Sequence, residues 1–148
     1  MIKTYPPAEH KYYGKYPGCW RGLSPIEAFG FYQEDEVRLG GLCLFRVELS
    51  NVGMVFQAVG IGGVWTREDC RGKGVAHALI ARALKWAREQ GFSAAVLYSD
   101  PKAGRLYSRF GFKSIRGLSD AQPLFACSLG QVVFLPCTEW KTSPEGRF

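Results

Sequence analysis

Histidine is scarce in this 148-residue chain, with two copies, and the five cysteines never fall at metal-ligand spacing. Cys19, Cys43, Cys70, Cys127 and Cys137 are odd in number and scattered, without Cys-x-x-Cys or a Cys/His cluster. Neither a zinc site nor a disulfide framework is therefore expected; reduced thiols fit best. No apolar run approaches membrane-spanning length. The opening MIKTYPPAEHKYYGKYPGCW contains no apolar core of signal-peptide length. A cytoplasmic protein without a membrane span is the expectation. Neither a repeat nor a dividing linker interrupts the chain, so one domain over 1–148 is expected. Two nucleotide motifs are missing as well. Gly-x-x-x-x-Gly-Lys-Ser/Thr does not occur, and the glycine turn at 71–76 is not Gly-x-Gly-x-x-Gly.

Acidic residues are outnumbered, with 13 Asp and Glu against 19 Lys and Arg and a net charge of +6. That balance suits an anionic partner such as a phosphorylated cofactor, nucleic acid or a membrane surface. A basic protein with no such partner fits the charge equally well.

Residues 1–22 are rich in Tyr, Pro, Gly and Lys and read as an irregular arm. Ser24, Pro25 and Glu27 have capping-box order, which predicts a short helix to about Tyr32, with Gly30 against it. Two apolar, β-branched runs, 37–49 and 54–66, flank the turn residues 50–53 and predict antiparallel strands. Gly60, Gly62 and Gly63 suggest a bulge or close backbone approach in the second. The period then changes. Val75, Ala76, Leu79, Ile80, Ala83, Leu84 and Ala87 recur at three- and four-residue spacing, and Gly91 closes an amphipathic helix of about four turns. A buried-type strand at 92–99 comes next, then a helix over 101–110 capped by Asp100-Pro101 and ended by Gly111. Two further strands are expected near 112–116 and 131–136 with an irregular joint between them, and surface chain from Cys137. The sum is an α/β (α+β) fold: a mixed, mostly antiparallel sheet with flanking helices and one β-α-β crossover whose strands are parallel.

Arg71-Gly72-Lys73-Gly74-Val75-Ala76 lies where a strand ends and the strongest helix begins. Glycines let successive amides turn inward, and the first helical N–H groups have no intrahelical partner. With the macrodipole, this makes a site suited to phosphate or pyrophosphate. A tight strand-to-helix connection with solvated basic side chains is the competing reading of that feature alone.

Taken with the residues downstream to Phe112, the stretch resembles the GNAT superfamily of acetyl-CoA-dependent N-acyltransferases. Arg71, Gly74 and Ala76 fill the family's Arg/Gln-x-x-Gly-x-Gly/Ala turn. Farther along, DPKAGRLYSRFGF matches Asn-x-x-Ala-x-x-x-Tyr-x-x-x-Gly-Phe through Ala103, Tyr107, Gly111 and Phe112. The resemblance covers about 59–112, the expected acetyl-CoA-binding and catalytic core.

It implies acetyl-CoA as acyl donor and no metal. The amides of Arg71, Gly72, Lys73, Gly74, Val75 and Ala76 would hold the pyrophosphate, and the backbone of Val64, Trp65 and Thr66 the pantetheine arm. Tyr107 would be the general acid toward the departing thiolate; a core tyrosine on a helix face is its alternative. Asp100 stands where the family often has Asn. It would contact the pantetheine arm or serve only as the helix cap. The general base is open. No carboxylate lies on the central strand, Glu34, Asp35, Glu36 and Glu48 read as surface charges, and a water relay competes with them. His77 reads as surface, and Cys70 is not expected to be a nucleophile in direct transfer.

The leading expectation is acetyl transfer from acetyl-CoA to a primary amine of a small molecule or protein. One alternative is a GNAT-fold enzyme modifying a nucleic-acid base or aminoacyl-tRNA. Tyr5, Tyr12, Tyr13, Tyr16 and Trp20 interleaved with Lys3, Lys11, Lys15 and Arg21 motivate it. An arm packing its aromatics across the core fits those residues better, so nucleic acid is not the favoured partner. Another alternative is a non-catalytic coenzyme A-binding module. An exposed edge strand could pair two copies into a homodimer.

Overall fold

The computed structural model describes residues 1–11, 24–51, 53–99, 101–115, 124–130 and 140–143. The expected strand at 131–136, most of the aromatic arm and Asp100 lie outside them. Among the described residues eight strands form one sheet: β1 (Ile2–Thr4), β2 (Glu27–Tyr32), β3 (Arg38–Asn51), β4 (Met54–Thr66), β5 (Ala94–Tyr98), β6 (Lys113–Ser114), β7 (Leu124–Ser128) and β8 (Lys141–Ser143). Their order is β1-β2-β3-β4-β5-β7-β6, with β8 also pairing β3. Among the described residues only β4 and β5 are parallel; every other pairing there is antiparallel. This is the mixed, mostly antiparallel sheet expected from the sequence.

β3 and β4 form a long hairpin turning at Gly53, whose φ is 77°. α1 (Val75–Glu89) connects the parallel pair and ends at Gly91, φ 85°. It buries Val75, Leu79, Ile80, Ala83, Leu84 and Ala87 against one sheet face. These are the residues that the helical period selects, except Ala76, which is half-buried. Phe29, Leu42, Leu44, Val59, Ile61, Ala95 and Leu97 meet it there. The opposite face carries a second core of Ala28, Cys43, Phe45, Val47, Leu49, Val96, Ile115, Leu124 and Trp140.

Four expectations need correction. Residues 27–32 are a strand, not a helix. Phe29 and Phe31 belong to the α1-side core while Ala28 faces the other, and β2 is paired on both sides. Strand pairing on both sides and burial on both faces outweigh a capping signal worth about 1 kcal/mol. The arm is not wholly irregular: β1 pairs β2, a 3-10 turn spans Pro7–Glu9, and Tyr5 and His10 are buried. The second helix is a 3-10 turn, Pro101–Ala103, followed by one α-helical turn, α2 (Gly104–Ser108), because Gly104 is a poor helix former. Finally, β7 occupies part of the expected joint and β8 part of the expected surface tail. β8 borders β3 at residues 48–50, beyond the end of β2, and the Tyr98 hydroxyl lies 3.0 Å from Thr142 Oγ1.

Gly40 fits α1 onto β3. A Cβ there would come within 2.8 Å of the Trp65 carbonyl oxygen and of Val75 Cγ1. Backbone cannot yield as a side-chain tip can, so Gly40→Ala is expected to destabilise the fold by about 1–3 kcal/mol. Urea unfolding of both proteins measures the difference.

Candidate functional site

β4 and β5 pair in register at Ala58–Ala94, Val59–Ala95 and Gly60–Val96, and there the pairing ends. β4 continues to Thr66 and β5 to Tyr98, so the two strands part beyond Gly60. β4 keeps its bonds to β3 on the other side, with one interruption. Gly41 pairs Trp65 and Cys43 pairs Gly62, leaving Gly63 and Val64 opposite Leu42. This is a bulge with glycine in the left-handed region at its first position, φ 63°. The strand glycines had suggested such a break.

The bulge orients the end of β4. The Arg67 N–H donates to the Leu39 carbonyl at 2.7 Å. Alternation in an antiparallel ladder then turns Trp65's backbone groups toward β3 and Thr66's toward the parted side. On that side the Thr66 carbonyl lies 3.4 Å from Arg71 Nε. Of the three residues proposed from sequence for the pantetheine arm, Trp65 therefore has its backbone occupied by the ladder.

Between β4 and α1 the chain makes a 3-10 turn, Glu68–Cys70. Arg67 braces it with a two-point contact to Asp69, Nε–Oδ1 2.6 Å and Nη2–Oδ2 3.0 Å. Those hydrogen bonds hold the Asp69 carboxyl below its ordinary range. Cys70 is buried with its thiol 3.5 Å from Asp69 Oδ1, a structural setting rather than a nucleophile's.

Gly72 and Gly74 both take left-handed φ, 77° and 83°, while Arg71 and Lys73 are exposed. Gly74 is the N-cap of α1; no side chain among the described residues caps the helix, and its first turn holds no acidic residue. The first i→i−4 bond runs from Ala78 N to Gly74 O at 3.0 Å, so the Val75, Ala76 and His77 amides precede the ladder. Uncapped amides, a helix dipole and two cations at the mouth of the parted strands suit a phosphorylated group.

Tyr107 lies on α2, buried in the α1-side core, its ring 5.9 Å from Phe112 in an edge-to-face contact. Burial raises its pKa, which keeps the phenol protonated at neutral pH. His77 is exposed on α1, its ring 4.6 Å from Phe110. The carboxylates considered as bases stand apart. Glu34 and Asp35 are exposed on the β2–β3 turn and Glu36 pairs with Lys3. Glu48 sits opposite Gln57, about 20 Å along the strand from Gly63.

The sequence reading missed one cluster altogether. On the face away from α1, Tyr5 packs over Gly30 and Gly41, where any Cβ would approach its ring or hydroxyl within about 3.1 Å. Arg38 stacks on the Tyr5 ring at 3.7 Å and contacts Glu9 through Nη1 to the carbonyl at 3.3 Å. The Tyr5 hydroxyl bonds His10 Nδ1, and His10 Nε2 bonds the Gly63 carbonyl at 2.8 Å. A carbonyl only accepts, so Nε2 carries the proton and Nδ1 accepts from Tyr5. The Trp65 indole N–H is buried beside the Tyr5 hydroxyl without a partner in hydrogen-bond geometry among the described residues, and Lys11 lies 4.9 Å over the Trp65 ring.

The family model described as "Acetyltransferase (GNAT) family" matches residues 2–112. Among solved structures, the chain is similar to the GNAT family N-acetyltransferase YhbS from Escherichia coli, determined in complex with CoA, at 25% identity and TM-score 0.60 over 74% of this chain. A GCN5-related N-acetyltransferase from Anabaena variabilis is 28% identical over 60% of this chain, TM-score 0.55. The chain covers 62% of YhbS and 22% of the Anabaena protein. An acetyltransferase of the GNAT family from Staphylococcus aureus shares the fold at 13% identity and TM-score 0.61, over 88% of this chain and 99% of that one. The curated proteins return no match.

Burial, with Arg38 nearby, lowers the His10 pKa from 6.5 to about 4, while its bond to the Gly63 carbonyl opposes the shift. The unfolded chain therefore binds the extra proton first. His10's contribution is complete above about pH 6.5 and is lost as pH falls toward 4, by about 1–3 kcal/mol after discounting for solvent screening. Denaturant unfolding at pH 7 and pH 5 is expected to show a steeper loss for the wild type than for His10→Gln.

Proposed function

Because the chain belongs to the acetyltransferase (GNAT) family, we propose that it transfers an acetyl group from acetyl-CoA directly to a primary amine of a small molecule or protein. One observation carries the reading. The parting of β4 from β5, the bulge at Gly63 and the uncapped glycine turn succeed one another within residues 60–76, and Tyr107 is on the next helix. A groove for an extended arm thus leads to a cradle for a pyrophosphate. Each part suits one portion of coenzyme A.

In this reading the amides from Gly72 to Ala76 hold the pyrophosphate, and Arg71 and Lys73 add charge that strengthens it without setting its geometry. The Val64 and Thr66 backbones line the pantetheine arm, with Trp65 supporting them from the ladder; for Asp100 the proposal stays between contact with that arm and a helix cap. Tyr107 donates its phenolic proton toward the sulfur as the carbon–sulfur bond breaks. A phenol is a weaker acid than a thiol, so the proton follows the charge developing on sulfur rather than anticipating it. The amine must be neutral to attack, and water is the proposed carrier of its proton, since the acidic candidates lie at exposed sites away from the bulge.

Acetyl-CoA and coenzyme A should raise the melting temperature while NAD does not; no shift at saturating ligand would sink the assignment. Thiol release across an amine panel separates an enzyme from a coenzyme A-binding module. Tyr107→Phe should lower kcat about a hundredfold with the Kd for coenzyme A nearly unchanged. Wild-type turnover in that variant removes Tyr107 from the mechanism.

A further inference from the structure

His10 is 3% exposed, and both ring nitrogens are engaged, Nδ1 by the Tyr5 hydroxyl and Nε2 by the Gly63 carbonyl. A base needs a free lone pair facing its proton, and neither nitrogen offers one. The ring is also too weakly basic at neutral pH for that task. It reaches instead across 53 residues of sequence to the one carbonyl that begins the bulge. The peptide unit is planar and trans, so fixing the Gly63 carbonyl also fixes the Val64 N–H on its other side. Glycine at φ 63° has a soft backbone and would otherwise sample other orientations at little cost.

Resting on the acetyltransferase reading, we propose that His10 is a positioning residue for the acyl-donor site: held as the Nε2–H tautomer by Tyr5, it pins the Gly63 carbonyl and so aims the Val64 N–H within the bulge. The Tyr5 hydroxyl acts one step behind it. Without that donor, Nδ1 can take the proton itself, and Nε2 then faces the carbonyl with a lone pair. The N-terminal segment is in this way part of the donor site, although the motifs for that site all lie downstream of it.

The test compares His10→Ala, His10→Gln and Tyr5→Phe in the full chain. A glutamine side chain offers a donor NH2 group and an acceptor oxygen, so it can donate to Gly63 and accept from Tyr5 in the same sense as the neutral imidazole. His10→Ala is expected to raise the coenzyme A Kd and the acetyl-CoA KM about tenfold, with a smaller change in kcat. It should also speed amide exchange in ligand-free peptides spanning 60–66. His10→Gln should recover most of both effects, and Tyr5→Phe should fall between. If His10→Ala matches wild type, or His10→Gln is no better than His10→Ala, the inference is overturned. Where His10→Ala does not fold, Tyr5→Phe carries the test, and wild-type affinity and exchange in that variant overturn it. Wild-type protein that does not bind coenzyme A overturns the acetyltransferase reading and this inference with it; wild-type binding that is indifferent to these changes overturns the inference alone.

Discussion

Parallel pairing that stops at Gly60 and Val96 is the constraint on which the site depends. Beyond that point β4 has, among the described residues, a partner on one side only, and its position rests on β3 and on whatever holds the bulge. The long β3–β4 ladder supplies the first support. The second comes from the opposite face, where His10 reaches the Gly63 carbonyl. A sheet whose two central strands stayed paired to their ends would have no groove. One whose free strand had no second support would have a groove of changing shape.

The same economy governs α1. A missing N-cap costs a helix about 1 kcal/mol. Each large apolar side chain on its buried face contributes about 1.5–3 kcal/mol, and Val75, Leu79, Ile80 and Leu84 are all buried. Packing therefore determines where the helix sits, and its first turn is released from capping duty. Gly40 extends the argument to the strand, since its lack of a side chain lets Val75 and Leu79 rest close against the β3 backbone.

Elements with a long, one-sided period were legible in the sequence. α1 and the β3–β4 hairpin are each over a dozen residues long, and their apolar spacing matches their burial. β2 was misread because Ser24, Pro25 and Glu27 mimic a helix start, while the two strands that claim it are distant in sequence. β7 buries Leu124 and Ala126 on one face and Cys127 on the other, so it shows no polar alternation. β8 is short and largely polar, and only the vacant border of β3 explains it. In the candidate site, the glycine turn could be read because its geometry is written locally. The His10 contact could not, because nothing near His10 names Gly63.

The turn before α1 also divides two properties between two kinds of residue. Gly72 and Gly74 have left-handed φ and carry its shape, yet contribute no charge. Arg71 and Lys73 carry the charge from exposed positions between and beside them. Mutation can therefore change the strength of an anion's attraction at Lys73 while leaving the cradle's contour intact. The reverse does not hold, since any side chain at the two glycines strains the contour first. Affinity at this turn can drift gradually with sequence; its geometry can only be kept or lost.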